Sequence, residues 1–217
     1  GILDQGCSAF GKAGALVLID CTKNDFSTRP MPDGTHFWVF NTQKKHALID
    51  SFYSTRNKEC MESAEILKRA NPALANLASA TEHEVEAAGA VLGAERLKRA
   101  LHVVRETARV RDTLVALDAG DVVRVGKNLT ASHESSRTLF ENSCEELDFL
   151  VEHVTAMPGV FGARLSGGGF GGAVMALTDG TFNVKAADAL VSAYAARFGQ
   201  SPSIFHAKTG DGAGLEN

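Results

Sequence analysis

The segment best suited to holding an anion is Ser166-Gly167-Gly168-Gly169-Phe170-Gly171-Gly172, with five glycines in six positions after the serine. Without Cβ atoms, backbone N–H groups can come directly against phosphate oxygens. Gly167, Gly169 and Gly172 satisfy G-x-G-x-x-G, but the dinucleotide reading needs a helix after the loop, and Ala173 to Leu177 reads as a strand. The bland alternative is a glycine-rich hairpin that serves packing alone. Asp4, in Gly1-Ile2-Leu3-Asp4-Gln5, puts a carboxylate where an apolar-periodic helix begins. There it either caps free N–H groups or faces a ligand. Tyr53 follows the basic stretch Asn41 to His46 at a helix start, so its phenol either hydrogen-bonds a polyol or edges the core.

Other chemistries lack their residues. His83-Glu84 and His133-Glu134 have no histidine four positions after the first, so H-E-x-x-H zinc sites are absent. Arg164 stands where a G-x-S-x-G elbow around Ser166 needs glycine. The cysteines, Cys7, Cys21, Cys60 and Cys144, form no C-x-x-C pair and no zinc spacing, and they read as reduced thiols of a cytoplasmic protein. With 22 basic against 26 acidic residues, a formal net charge of −4, the chain has no excess of cation for nucleic acid or anionic lipid. Its apolar runs are too short to span a bilayer.

These residues need a scaffold, and 217 residues suffice for one large domain or two small ones. After a helical start, Ala15 to Cys21, Phe26 to Met31 and His36 to Asn41 read as strands, with Pro30, Pro32 and a Pro-Asp-Gly turn breaking the chain near Asp33. Helices are predicted over 49–69, 82–92 (Thr81 and Glu84 forming a capping box, Gly93 the stop), 94–119, 122–139 and 145–155, the last capped by Ser143 with Glu146. Strands follow at 160–165, 173–177 and 203–207, with a helix over 183–198. Helices segregated against a mainly antiparallel sheet make an α+β fold.

In order, G-I-L-D-Q, L-I-D-C, N-T-x-x-K-H-x-L-x-x-S-x-Y-x-x-R, S-C-E-E-L-D-x-L-V, R-L-S-G-G-G-F-G-G and the closing Gly210-Asp211-Gly212-Ala213 resemble the C-terminal half of the galactokinases, within the GHMP kinase superfamily. The resemblance covers nearly the whole chain. It implies a GHMP-kinase-like C-terminal domain over 33–217, residues 1–32 completing an N-terminal domain, and a missing N-terminal portion as the chain's natural partner. It further implies transfer of the ATP γ-phosphoryl group, with Mg²⁺, to the anomeric 1-OH of galactose. Asp4 would be the catalytic carboxylate, Gly1, Asp4 and Tyr53 the sugar contacts, and Ser166, Gly167, Gly168, Gly169, Phe170, Gly171 and Gly172 the border of the nucleotide phosphates. No protein-held metal site is implied.

Phosphoryl transfer requires in-line positioning and neutralisation of charge on the transferring oxygens. An aspartyl carboxylate is a weak base for an alcohol, so it accepts the proton late, as the new bond forms. The family's partner arginine, its sugar-clamping G-x-x-x-x-H-x-D-Y segment and its serine-rich phosphate loop are not in this sequence, and the chain alone is expected to be inactive. Gly6, Ser54 and Glu145 depart from the family's frequent Phe, Pro and Pro. N-acetylgalactosamine or arabinose as substrate, and a galactose and ATP sensor without turnover, stay open as alternatives.

Overall fold

The computed structural model describes residues 2–44 and 49–214. The chain opens with helix α1 (Leu3–Phe10) and an antiparallel hairpin of β1 (Ala15–Asp20) and β2 (Asp25–Pro30), a two-stranded sheet of its own. Next come β3 (Thr35–Asn41), the long helix α2 (Ile49–Ala70), α3 (Glu82–Ala87), α4 (Gly89–Asp118), α5 (Val122–Ser135) and α6 (Glu145–Thr155). Strands β4 (Val160–Ser166) and β5 (Ala173–Asp179), helix α7 (Val184–Phe198) and β6 (Ser203–Ala207) complete it. Every pairing in the sheet β4-β5-β3-β6 is antiparallel, which gives the α+β architecture expected.

Period-two alternation decides which side chains face which layer. Trp38 and Phe40 on β3, Val174 and Ala176 on β5, and Ala163 and Leu165 on β4 meet Leu147, Leu150 and Val154 of α6 and Leu190 and Tyr194 of α7. Each such fully buried aliphatic side chain contributes about 1.5–3 kcal/mol. The intervening positions Phe37 and Leu177 turn to the opposite face, against Ala116 and Val125 of α4 and α5, and an irregularity at Val160–Gly162 of β4 brings Phe161 there too. A separate cluster, with Leu67, Leu77, Val85, Leu92 and Val104, joins α2, α3 and α4. Buried His133 of α5 fastens three elements: its Nδ1 accepts from the Leu165 N–H (3.3 Å) and its Nε2 lies 3.1 Å from Asp148 of α6.

Three helix expectations are corrected. The stretch 82–92 is two pieces: α3, with its Thr81–Glu84 capping box, ends at Ala87, and α4 begins at Gly89 with a kink where Gly93 adopts φ +73°. The stretch 122–139 is regular only to Ser135. A π turn over Ser136–Phe140 follows, ending in left-handed Glu141. Its carbonyls Leu139 O and Phe140 O are engaged by Arg99 and Arg56, which hold the turn open. Finally, Ser143 and Glu146 do not box the start of α6. Cys144 is the N-cap without a side-chain bond, Ser143 Oγ donates to Asp148 Oδ1 (2.5 Å), and Glu146 is taken by Lys44 Nζ (2.7 Å).

Candidate functional site

Six residues, 167–172, connect Ser166 to its register partner Ala173 across the β4–β5 hairpin. Five of them have positive φ: Gly167 (+88°), Gly169 (+82°), Phe170 (+58°), Gly171 (+140°) and Gly172 (+83°). At Gly169 glycine is required twice over, because a Cβ would also lie 2.0 Å from Asn142 O. Asn142, just after the π turn, clasps the bend by accepting from Phe170 N–H (2.6 Å) and donating from Nδ2 to Gly168 O (3.1 Å). On the other side Thr42 donates from both N–H and Oγ1 to Gly172 O (2.8 Å each).

The clasp is itself anchored on buried charge. Arg99 of α4, 1% exposed, donates to Glu59 Oε2 (2.8 Å), Glu95 Oε2 (2.8 Å) and Glu141 Oε2 (2.7 Å), and to Leu139 O. Burial works against the guanidinium's charge, yet the bonds to Glu59 and Glu141 outweigh it and hold the Arg99 pKa above its ordinary value. Lys98 and Arg99 hold the Glu141 carboxyl down to about 2. Arg56 of α2 donates from Nε to Phe140 O (2.6 Å), so the helix bearing Tyr53 is tied to the same turn.

Asp4 lies in the first turn of α1. The N-cap is Ile2 and no side chain caps the helix, so the structure does not use Asp4 as the cap. Instead, Leu3 and Asp4 face a cavity of about 560 Å³ whose other walls are Tyr53, Leu129 of α5, Arg164 and Met175 of the paired strands, and Ser166, Gly167 and Gly168. The Tyr53 ring stands over Gly168, with Cδ2 3.8 Å from where a Cβ would be.

The structure thus brings Asp4, Tyr53, Ser166, Gly167 and Gly168 together, although Asp4 and Gly168 are 164 positions apart in the sequence. Gly169 to Gly172 do not line the cavity: Gly169 meets Asn142, the Phe170 ring stacks on Phe52 (5.1 Å) and Gly172 meets Thr42. Gly1 lies outside the described residues.

Residues 113–198 match the family described as "GHMP kinases C terminal". A galactokinase of Thermosipho africanus is 34% identical over 98% of this chain and 58% of its own length, and a human galactokinase 35% identical over 98% and 52%. Among solved structures, Lactococcus lactis galactokinase complexed with galactose superposes with a TM-score of 0.92 at 31% identity, over 98% of this chain and 55% of that one. The chain carries a GHMP kinase C-terminal domain. It spans about half the length of the curated galactokinase relatives it matches. The mevalonate kinase of L. major, at 20% identity and a TM-score of 0.54, shares the fold alone.

Sequence reasoning missed two groups of this site. Arg164 lines the cavity, its Nε donates to Leu165 O (3.0 Å), and among the described residues it has no carboxylate partner. Burial lowers its pKa from the ordinary guanidinium value. Its place two residues before Ser166, and so on the same strand face, was the available signal. Asn142 and the Arg99 network gave none, because their role arises from a π turn that no spacing announces.

Proposed function

We propose that the protein, at the length of its curated relatives, transfers the γ-phosphoryl group of ATP to the anomeric 1-OH of galactose, giving galactose 1-phosphate and ADP. The observation that carries this reading is the shared cavity in which Asp4 faces Tyr53, Gly167 and Gly168. A sugar between Asp4 and Tyr53 would offer its 1-OH to the carboxylate and a ring hydroxyl to the phenol. A triphosphate beside Gly167 and Gly168 would meet backbone N–H groups with no side chain in the way. As the sugar oxygen bonds to phosphorus and the bond to the ADP oxygen breaks, the hydroxyl proton passes to Asp4 and from there to solvent. Gly1 next to the sugar, and Gly169 to Gly172 as the support of the phosphate bend, belong to the same proposal.

Among the described residues no group of three or more His, Cys, Asp or Glu could hold a metal ion. In this reading Mg²⁺ would sit on the nucleotide's phosphates and neutralise charge there. The separate hairpin sheet and four-stranded sheet support residues 1–32 as the end of an N-terminal domain and 33–217 as the C-terminal one. All four cysteines are free thiols, which supports a cytoplasmic placement, and among the described residues no helix is long and apolar enough to cross a membrane.

The test is ADP release by the longer protein with galactose, N-acetylgalactosamine and arabinose. Galactose is expected to give the highest kcat/KM. Asp4→Asn should lower kcat by about 100-fold or more while galactose binding stays within a few-fold. A variant with near-normal kcat and collapsed sugar affinity would remove Asp4 from the chemistry and leave it only a binding role.

A further inference from the structure

Helix α1 has little to hold it in place by itself. It is 8 residues long, its N-cap Ile2 contributes no side-chain bond, and its large side chains Leu3 and Phe10 are mostly exposed. Two turns of helix are marginal in water without tertiary support. One support is the hairpin: Phe10 stacks on Phe26 at 4.4 Å, and Gly6 packs so closely on Phe26 and Ile19 that a Cβ would lie 2.6 Å from the Phe26 ring.

The other support comes from the far end of the chain. After β6 the chain crosses to the C-terminal end of α1 and makes four hydrogen bonds, one to the helix and three to the turn that follows it. Thr209 Oγ1 accepts from Gly14 N–H (2.7 Å) and Asp211 Oδ1 from Ala13 N–H (3.0 Å). Gly212 N–H donates to Gly11 O (2.8 Å) and Ala213 N–H to Ser8 O (2.7 Å). Ser8 O is one of the carbonyls that a helix end leaves without an intrahelical partner. The fit is close: a Cβ on Gly212 would lie 2.8 Å from Ser8 O and 3.0 Å from the Ala9 backbone.

We propose that residues 209–213 are a positioning strap for Asp4. The strap takes up the open end of α1, fixes the helix against the hairpin and so sets where the carboxylate stands in the cavity. Thr209, Asp211 and Gly212 are positioning residues that touch neither sugar nor nucleotide. The assignment of the strap to α1 rests on geometry alone, whereas its kinetic consequence rests on the reading of Asp4 given above.

The two parts are tested separately. In the 217-residue chain, the paired variant Thr209→Val with Asp211→Ala should speed hydrogen exchange of the α1 amides by about tenfold while the amides of β4 and β5 exchange as before. Unchanged α1 exchange would overturn the strap. Gly212→Ala serves as a second variant with the same expectation, and Asp211→Asn, which keeps the accepting oxygen, should restore protection. In the longer protein, assayed well below its melting temperature, the paired variant should lower kcat about tenfold with the galactose KM within about twofold, because a displaced carboxylate fails at the reacting oxygen. Loosened α1 with unchanged kcat would overturn the positioning role. If Asp4→Asn were itself harmless, the fault would lie with the catalytic reading, and the exchange result would stand by itself.

Discussion

The two walls of the cavity are held by opposite means. The glycine bend is gripped by Asn142 and Thr42, and a network of charged side chains, Arg99, Glu141 and Arg56, fixes the turn that carries Asn142. The Asp4 wall is a short helix whose open end is closed by the backbone and two short side chains of a distant segment. A network around a buried guanidinium is stiff, but it fails badly when that member is lost, because several charge-assisted bonds go at once. A set of partly exposed, largely neutral hydrogen bonds loses about 1 kcal/mol at a time. The glycine side should therefore be the rigid wall and the Asp4 side the adjustable one.

The sharpest way to break that contrast is Arg99→Met. It leaves Leu139 O without its donor and takes a charged hydrogen bond from each of Glu59 and Glu141, which keep only Arg56 and Lys98, at an expected cost of about 3–5 kcal/mol in urea unfolding of the 217-residue chain. Exchange at residues 167–172 should rise with it while α1 keeps its protection. Equal loosening of both walls would mean that the network supports the whole fold and not one wall.

Gly169→Ala should come next. The methyl would have to share space with Asn142 O at a backbone conformation of φ +82°. Left-handed strain and overpacking together cost about 3 kcal/mol. Denaturation midpoints of the variant against the parent chain check this.

Acid should separate the walls more gently. Burial pushes His102, which packs on Phe140 (4.5 Å) and meets Ser135 Oγ through Nδ1 (2.9 Å), down to about 4 from an ordinary 6.5. Between those values the unfolded chain binds the proton and the folded chain does not, so stability falls as pH drops from about 6.5 toward 4. Glu141 acts lower: held at about 2 against an ordinary 4.5, it contributes stability that is lost as pH falls from about 4.5 to 2. Both groups adjoin the π turn, so exchange at 136–142 and in the bend should quicken in acid before that of the sheet core. His102→Gln should flatten the stability profile between pH 4 and 6.5, read from urea midpoints, and an unaltered slope would take His102 out of the account.

How much of this was legible in sequence follows the range of the forces involved. Strands β1 to β6 and the Thr81 cap are local outcomes of alternation, branching and turn residues, and their positions read correctly to within a residue or two. The π turn after Ser135 and the loss of Glu146 from the start of α6 are settled by distant partners: Arg99 and Arg56 at the turn, Lys44 at Glu146. Asp4, Tyr53 and Gly167 to Gly168 were legible as residues whose types suit the chemistry, and the order of their motifs resembled the galactokinases. Their shared cavity was not, since nothing local brings position 4 beside position 168. The departure at Gly6 also makes sense only in three dimensions, because the Phe26 ring occupies the space beside it.

The smallest expected effect is the most discriminating one for function. Gly167 has φ +88°, much like Gly169, but no atom within 4 Å of an added Cβ. Gly167→Ala should therefore cost about 1–2 kcal/mol of stability through backbone strain alone, clearly less than Gly169→Ala. On the proposed reading its methyl projects where phosphate oxygens approach, so in the longer protein the KM for ATP should rise several-fold while the KM for galactose holds. Two glycines of one bend would then be separable, Gly169 needed so that Asn142 can come close and Gly167 so that a nucleotide can. If Gly167→Ala bound ATP as tightly as the parent protein, the bend would be a packing device at both positions.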